Sequence, residues 1–363
     1  MFLTHSLTRL LFLCITLSPT AWAAHAQEIP WHLGSLDKNE IAPAAINTAP
    51  IKPGPHKVVI AVIDSGVISD HPSLMGQLMP GYDMISPPNN LRGGRSSDYS
   101  PDTRDARCGQ RLVSSAFRTH GTEVTSLIVG NGQDGVRGVN PAAKVVPVRL
   151  FGACSMSRKD LLDSIAWAAG FHVDGVPDNP NPARVINMSI AGGLSVCGND
   201  LQQLINQVIS KNIYVVAAAG NNFRKPLSEP ANCKGVVSVG AIDAENNIEV
   251  YSALDPRTSI YAPGGGKKLS GEQVWTVNKL KIATYELDWL GSEKATAPYR
   301  GVGTSYAAPI VAGFVSLWLS YEPNKKPIDF TSDIAKFLRT VPSIDQCPNC
   351  SPQGLAVFTE RWP

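Results

Sequence analysis

Val58-Val59-Ile60-Ala61-Val62-Ile63-Asp64-Ser65-Gly66 is the stretch whose reading decides the fold. Its first six residues are apolar and mostly β-branched. They form a run of strand length without alternation, the pattern of a strand buried on both faces of a parallel sheet. The run ends in a carboxylate and a turn. Ligands of open parallel sheets bind outside the carboxyl ends of the strands. Asp64 therefore either stands at a site or belongs to a plain Asp-Ser-Gly turn, and the rest of the chain must decide between them.

Downstream, residues 144–150 repeat the buried-strand pattern, although Pro147 is out of place in a central strand. An amphipathic helix is expected over 158–169, a strand over 184–189 leading to Gly192 and Gly193, and a helix over 200–211. Further strands are expected over 213–219, ending in Gly220-Asn221-Asn222, and over 235–240. Strands alternating with helices predict an α/β fold, a doubly wound and mainly parallel sheet with helices on both faces. No internal repeat or linker separates a second folded domain.

The flanks are organised differently. Residues 1–26 read as a secretory signal, with Arg9 ending the n-region, an apolar core over 10–17 and Ala24-His25-Ala26 as the cleavage site. Residues 27–57, rich in Pro and Ala, read as an arm into a domain spanning 58–363. The apolar run of the signal is too short to span a membrane and no later run reaches ~20 residues. The mature chain is thus expected to be secreted, or periplasmic in transit. A net charge of +2, from 32 basic and 30 acidic residues in no long blocks, gives no electrostatic case for nucleic acid or a membrane surface.

Cys14 leaves with the signal. The other six cysteines, Cys108, Cys154, Cys197, Cys233, Cys347 and Cys350, allow up to three disulfides in an exported chain, in any of about fifteen pairings. Cys347-Pro348-Asn349-Cys350 reads as a structural bridge rather than a redox or zinc motif. Asp98, Asp102 and Asp105 crowd a long irregular segment over 80–119, which admits structural Ca2+ but reads first as a solvated loop.

Four element ends carry chemically useful groups: Asp64, His120, Asn221 and Ser305. His120 opens a run with helical potential. Gly303-Thr304-Ser305 precedes small residues and an apolar segment, so Thr304 or Ser305 is either a helix cap or, for Ser305, a nucleophile at a buried helix start. Acyl transfer uses all four. A neutral imidazole takes the serine proton, a carboxylate fixes the tautomer, and an amide with a helix N-terminal N–H stabilises the oxyanion.

The motifs Asp64-Ser65-Gly66, His120-Gly121-Thr122, Ala219-Gly220-Asn221 and Gly303-Thr304-Ser305 followed by Ala307-Ala308-Pro309 stand in that order, and the chain resembles the subtilisin-like serine proteases, the subtilase family. The match runs from about Val58 to Leu319. Gly81-Tyr82-Asp83-Met84-Ile85-Ser86, Gly138-Val139-Asn140-Pro141 with Val146-Pro147-Val148-Arg149, and the spacing of Cys108 and Cys154 are similar to secreted bacterial members with disulfides. The resemblance implies the pairs Cys108–Cys154, Cys197–Cys233 and Cys347–Cys350. It also implies a monomeric serine endopeptidase that needs no cofactor and acts on proteins or peptides. Substrate would lie extended in a groove between Ser189, Ile190, Ala191 and Gly192 on one side and Ala219 and Gly220 on the other.

Several positions depart from the family pattern. Glu123 stands where His usually follows His-Gly-Thr, and a structural role with little effect on the chemistry is expected for it. Ala191 replaces a groove glycine, or marks one extra residue, and its methyl narrows the first specificity pocket. Ile310 replaces a frequent His. Tyr306 replaces the Met that commonly follows the nucleophile, so peroxide is expected to inactivate slowly; rapid loss of activity with the triad intact would contradict this. About 31 residues between the signal and the first strand are too few for the usual pro-domain. The alternative to an enzyme is a secreted pseudoprotease that binds peptides without turnover. An esterase of the α/β-hydrolase type is disfavoured, since that fold sets its serine in G-x-S-x-G and its His last.

Overall fold

The computed structural model describes residues 33, 46, 48, 51–102, 107–109, 111–112, 115–133, 136–154, 156–270, 273–277, 280–282, 285–287, 293–295, 299–340 and 353–355. The signal segment 1–26, Asp105, Cys347 and Cys350 lie outside them.

The decisive run forms strand β1, Val59–Asp64, in the interior of the main sheet. In chain order the other strands of that sheet are β2 (Tyr82–Asp83), β3 (Lys144–Arg149), β4 (Val185–Met188), β5 (Tyr214–Ala218), β6 (Val237–Ile242), β7 (Ile260–Pro263), β8 (Leu338–Thr340) and β9 (Gln353–Leu355). Their spatial order is β8-β9-β7-β6-β5-β4-β1-β3-β2. Every pairing from β7 to β2 is parallel, with Ala61 flanked by Val146 on β3 and Ile186 on β4. After β1 the chain passes to the edge strand β2 and returns to β3 beside β1, then crosses to β4 and builds outward on the other side through β7. The carboxyl end of β1, where Asp64 sits, is therefore the switch point at which such sheets bind ligands.

A strand buried on both faces needs two cores, and β1 feeds both. Ile60 and Val62 pack with helices α1 (Ser115–Val129) and α4 (Thr304–Tyr321). Ala61 and Ile63 pack with α2 (Arg158–Ala168) and α3 (Asn199–Ser210) on the opposite face. α4 is apolar all round because it is buried nearly throughout, as a core helix must be. The arm joins this core: Leu33 and Ile46 are buried beside α1 and α4, and Gly54 N–H donates to Ser320 Oγ on α4 at 2.8 Å.

Pro147 is accommodated by the phase of its strand. Lys144 N–H and Leu150 N–H bond to Val58 and Asp64, while Val145 N–H points the other way, to Gln77. Pro147 shares the phase of Val145. Its missing N–H falls on the side of β2, which pairs only through Tyr82 and Asp83.

Two of the implied disulfides are present, Cys108–Cys154 and Cys197–Cys233. The first anchors the irregular segment that precedes α1. That segment is also held by charge: Asp102 accepts from Arg149 Nη2 at 2.5 Å and from Ala153 N–H at 2.6 Å, and Arg149, fully buried, bonds Asp83 as well. Asp98 accepts from Ser100 and faces Arg92 at 3.2 Å. These two carboxylates therefore serve as partners of hydroxyls, amides and guanidinium groups. Among the described residues, no group of three or more His, Cys, Asp or Glu is placed to hold a metal ion.

Candidate active site

His120 does not open its helix. α1 begins at Ser115, and His120 lies in its second turn. Gly121 hides this in the sequence, since glycine lowers helix propensity, but the structure gives its reason. A Cβ on Gly121 would meet Gly66 O at 2.2 Å and Asp64 Cβ at 3.2 Å, so only glycine lets α1 approach the end of β1 this closely. Gly121→Ala is expected to push His120 off Asp64 and to lower kcat/KM by on the order of 10²-fold. Unchanged kinetics in the purified variant would show that the approach is not needed.

The approach brings His120 Nδ1 to 2.8 Å from Asp64 Oδ1, an oxygen that also accepts from Ser65 N–H at 2.7 Å. With Nδ1–H donating to the carboxylate, Nε2 carries the free lone pair. The Asp64 side chain is 1% exposed and that of His120 16%, so the carboxylate is sealed while the imidazole is open to a substrate. Burial disfavours the imidazolium. The charge and hydrogen bond of Asp64, with a smaller push from Glu123, outweigh burial and lift the His120 pKa above its ordinary value.

Ser305 occupies the first turn of α4, and neither it nor Thr304 is the cap: Gly303 is, without a side-chain cap bond. The orphan Thr304 N–H is taken from outside by Asn221 Oδ1 at 2.8 Å, which accepts from Thr304 Oγ1 too. Thr304 Oγ1 in turn accepts from Gly220 N–H. This clamp turns the Asn221 carbonyl toward the helix and leaves its Nδ2, beside Gly303, as a donor. Pro309 has no N–H for the carbonyl of Ser305 four residues earlier, and Ser189 Oγ donates to that carbonyl at 2.7 Å instead. The Ser305 N–H has no acceptor among the described residues, as expected in a helix first turn. Its end of the dipole favours negative charge.

The structure joins Asp64 to His120 and clamps Asn221 to the start of α4, but it does not close a hydrogen bond between Ser305 Oγ and His120. Such contacts commonly tighten only with substrate bound. The Tyr306 ring packs near the imidazole, its centroid 5.8 Å from that of His120.

The two expected groove walls face each other. Ala191 Cβ lies 3.3 Å from where a Cβ on Gly220 would be, and Gly220, at φ +108°, has the backbone glycine allows. Ile190 is buried while Ala191 and Gly192 are exposed. On the α2 side of the first wall lies a pocket of about 350 Å³, with Met156, Leu161, Ile190 and Leu194 as apolar lining and Arg158 and Glu229 on its edge. Arg158 donates to Glu229 at 2.8 Å and to Asp200. Sequence reasoning placed Ile190, Ala191 and Gly192 in the groove but missed Met156, Arg158, Leu161, Leu194 and Glu229. Their signal is weak, since Leu161 reads as one more buried helix position, and only the fold brings 156–161 against 190–194.

A doubly wound parallel sheet with an Asp–His pair at its switch point and a helix beginning beside it defines the subtilisin-like class of α/β protein. Comparison with known proteins agrees. The profile described as the subtilase family matches residues 55–339, and the chain belongs to that family. It is 35% identical over 277 residues to the extracellular basic protease of Dichelobacter nodosus, covering 72% of this chain and 43% of that protein. It is 37% identical over 274 residues to an extracellular protease of Xanthomonas campestris pv. campestris, covering 73% and 44%. Less than half the length of these relatives is thus matched. Among solved structures, a protease of Pseudoalteromonas arctica PAMC 21717 superposes with a TM-score of 0.72 at 33% identity, over 90% of this chain and 94% of that one. The nisin leader peptidase of Lactococcus lactis, at 21% identity and a TM-score of 0.63, shares the fold.

Proposed function

We propose that this chain is a secreted serine endopeptidase. The observation that carries the reading is the His120–Asp64 hydrogen bond at 2.8 Å, formed at the switch point beside the helix that begins at Thr304. In this mechanism Ser305 Oγ attacks the peptide carbonyl and its proton passes to His120 Nε2. Asp64 steadies the resulting imidazolium. The oxyanion lies between Asn221 Nδ2 and the Ser305 N–H. Collapse expels the amine, which takes the proton from His120, and leaves an acyl-enzyme. Water then repeats the sequence with His120 as base. No step calls for a metal or cofactor. The relatives named extracellular proteases and the sequence features of residues 1–26 support export. No helix among the described residues is long and apolar enough to cross a membrane.

Substrate on this reading is a protein or peptide, bound extended between residues 189–192 and 219–220, with the apolar pocket near Leu161 taking a side chain further from the cleaved bond. Ala191→Gly is expected to raise kcat/KM for peptides with a large residue before the cleaved bond by about 10-fold, since one methylene-sized change in a pocket is worth roughly 1–3 kcal/mol. Equal rates on large and small residues in both variants would remove Ala191 from the pocket wall. The function itself is tested with casein and a short ester. Both should be hydrolysed. Ester cleavage with casein untouched would indicate an esterase, and peptide binding without any turnover a pseudoprotease.

A further inference from the structure

Glu123 and Tyr306 depart from the family pattern at separate points of the sequence, 183 residues apart, yet in the structure they are one unit. The Tyr306 hydroxyl donates to Glu123 Oε2, and Thr119 Oγ1 donates to Oε1 at 2.6 Å. Glu123 is only 5% exposed. It sits on α1, which carries His120, and Tyr306 follows Ser305 on α4. Their hydrogen bond is therefore a side-chain bridge between the helix of the base and the helix of the nucleophile. The same Tyr306 ring stands with its centroid 5.8 Å from that of the His120 imidazole.

We infer that the Glu123–Tyr306 pair is a positioning device for His120, which holds the Tyr306 ring against the imidazole and sets a second carboxylate beside it. This inference rests on the proposed function, because it assigns the pair a part in general-base catalysis. It departs from the expectation that Glu123 has little effect on the chemistry. The groups facing the imidazole are Asp64 from β1, Glu123 from its own helix and Tyr306 from α4, and Phe151, with its ring 6.4 Å away, brings no charge. Burial pushes the Glu123 carboxyl up, while Thr119, Tyr306 and His120 favour its ionised form and Asp64 opposes it. As an anion Glu123 favours the imidazolium. A helix-to-helix bridge that only stabilised the fold would leave kcat per reactive Ser305 unchanged in Tyr306→Phe, which keeps the carboxylate in place.

The test is a double-mutant cycle of Glu123→Gln and Tyr306→Phe, with rates normalised to the fraction of Ser305 that reacts to completion with a fluorophosphonate. Each single variant is expected to lose several-fold in kcat with KM within about two-fold. Glu123→Gln should move the acid limb of kcat/KM to lower pH, since removing a nearby anion lowers the pKa of the base. The double variant should be no slower than the slower single one, because both changes break the same contact. An acid limb unmoved in Glu123→Gln, or single losses that multiply in the double variant, overturns the inference while wild-type turnover leaves the proposed function standing. Failure of wild-type Ser305 to react would overturn both.

Discussion

Ser305→Ala is expected to abolish turnover, lowering kcat by on the order of 10⁶-fold, the magnitude known for the nucleophile of subtilisin itself, while the protein folds as before. The reason lies in what the Ser305 side chain does not do. The clamp at the start of α4 is made by Asn221 Oδ1 on Thr304, and the carbonyl of Ser305 is held through Ser189 Oγ. An alanine keeps each of these contacts. Its melting temperature should therefore stay within a few degrees of wild type, and peptide inhibitors that do not react should bind with similar Kd. A loss of only 10-fold would place the nucleophile elsewhere.

Asp64→Asn carries the next largest expected loss, on the order of 10⁴-fold in kcat, as for the carboxylate of serine-protease triads generally. Asp64 Oδ1 accepts from both His120 and Ser65, whereas Oδ2 is buried without a hydrogen-bond partner among the described residues. An amide has room to stand in the same place, so the change removes charge more than shape. The sign of the pH effect follows. Burial lowers the pKa of His120 and Asp64 is the main group raising it, so the acid limb of the residual kcat/KM should move to lower pH. In wild type the limb should lie above the ordinary histidine value of about 6.5. A variant with a full rate, or a limb that rises, contradicts the role given to Asp64.

Much of the frame was legible in the chain because a doubly wound sheet writes its strands as unbroken apolar runs. β1 is the clearest case, and its terminal Asp64 stands where the topology places ligands. The small residues of the His-Gly-Thr and Gly-Thr-Ser motifs were legible for a related reason, since close approach of backbone to backbone admits little else, as Gly121 against Gly66 makes concrete. What stayed hidden depends on register between distant elements. Nothing local to Glu123 points to Tyr306, because the pair exists only once α1 lies along α4. Arg149 reads as a polar end to a strand, and its pairing with Asp83 and Asp102 appears only when the irregular segment folds back. Pro147 looked like a fault because sequence does not tell which neighbour a given N–H faces. The bond between Asn221 and Thr304 was hidden too, so Asn221 read only as a candidate oxyanion donor, while its carbonyl fastens the start of α4.

The central claim is that Ser305 is a nucleophile activated by His120, and covalent labelling tests it most directly. Folded protein treated with a fluorophosphonate, digested and mapped by mass spectrometry should carry the adduct on Ser305, and His120→Ala, equally folded, should carry none. Folded wild-type protein that stays unlabelled, or that is labelled at another residue, would contradict the account.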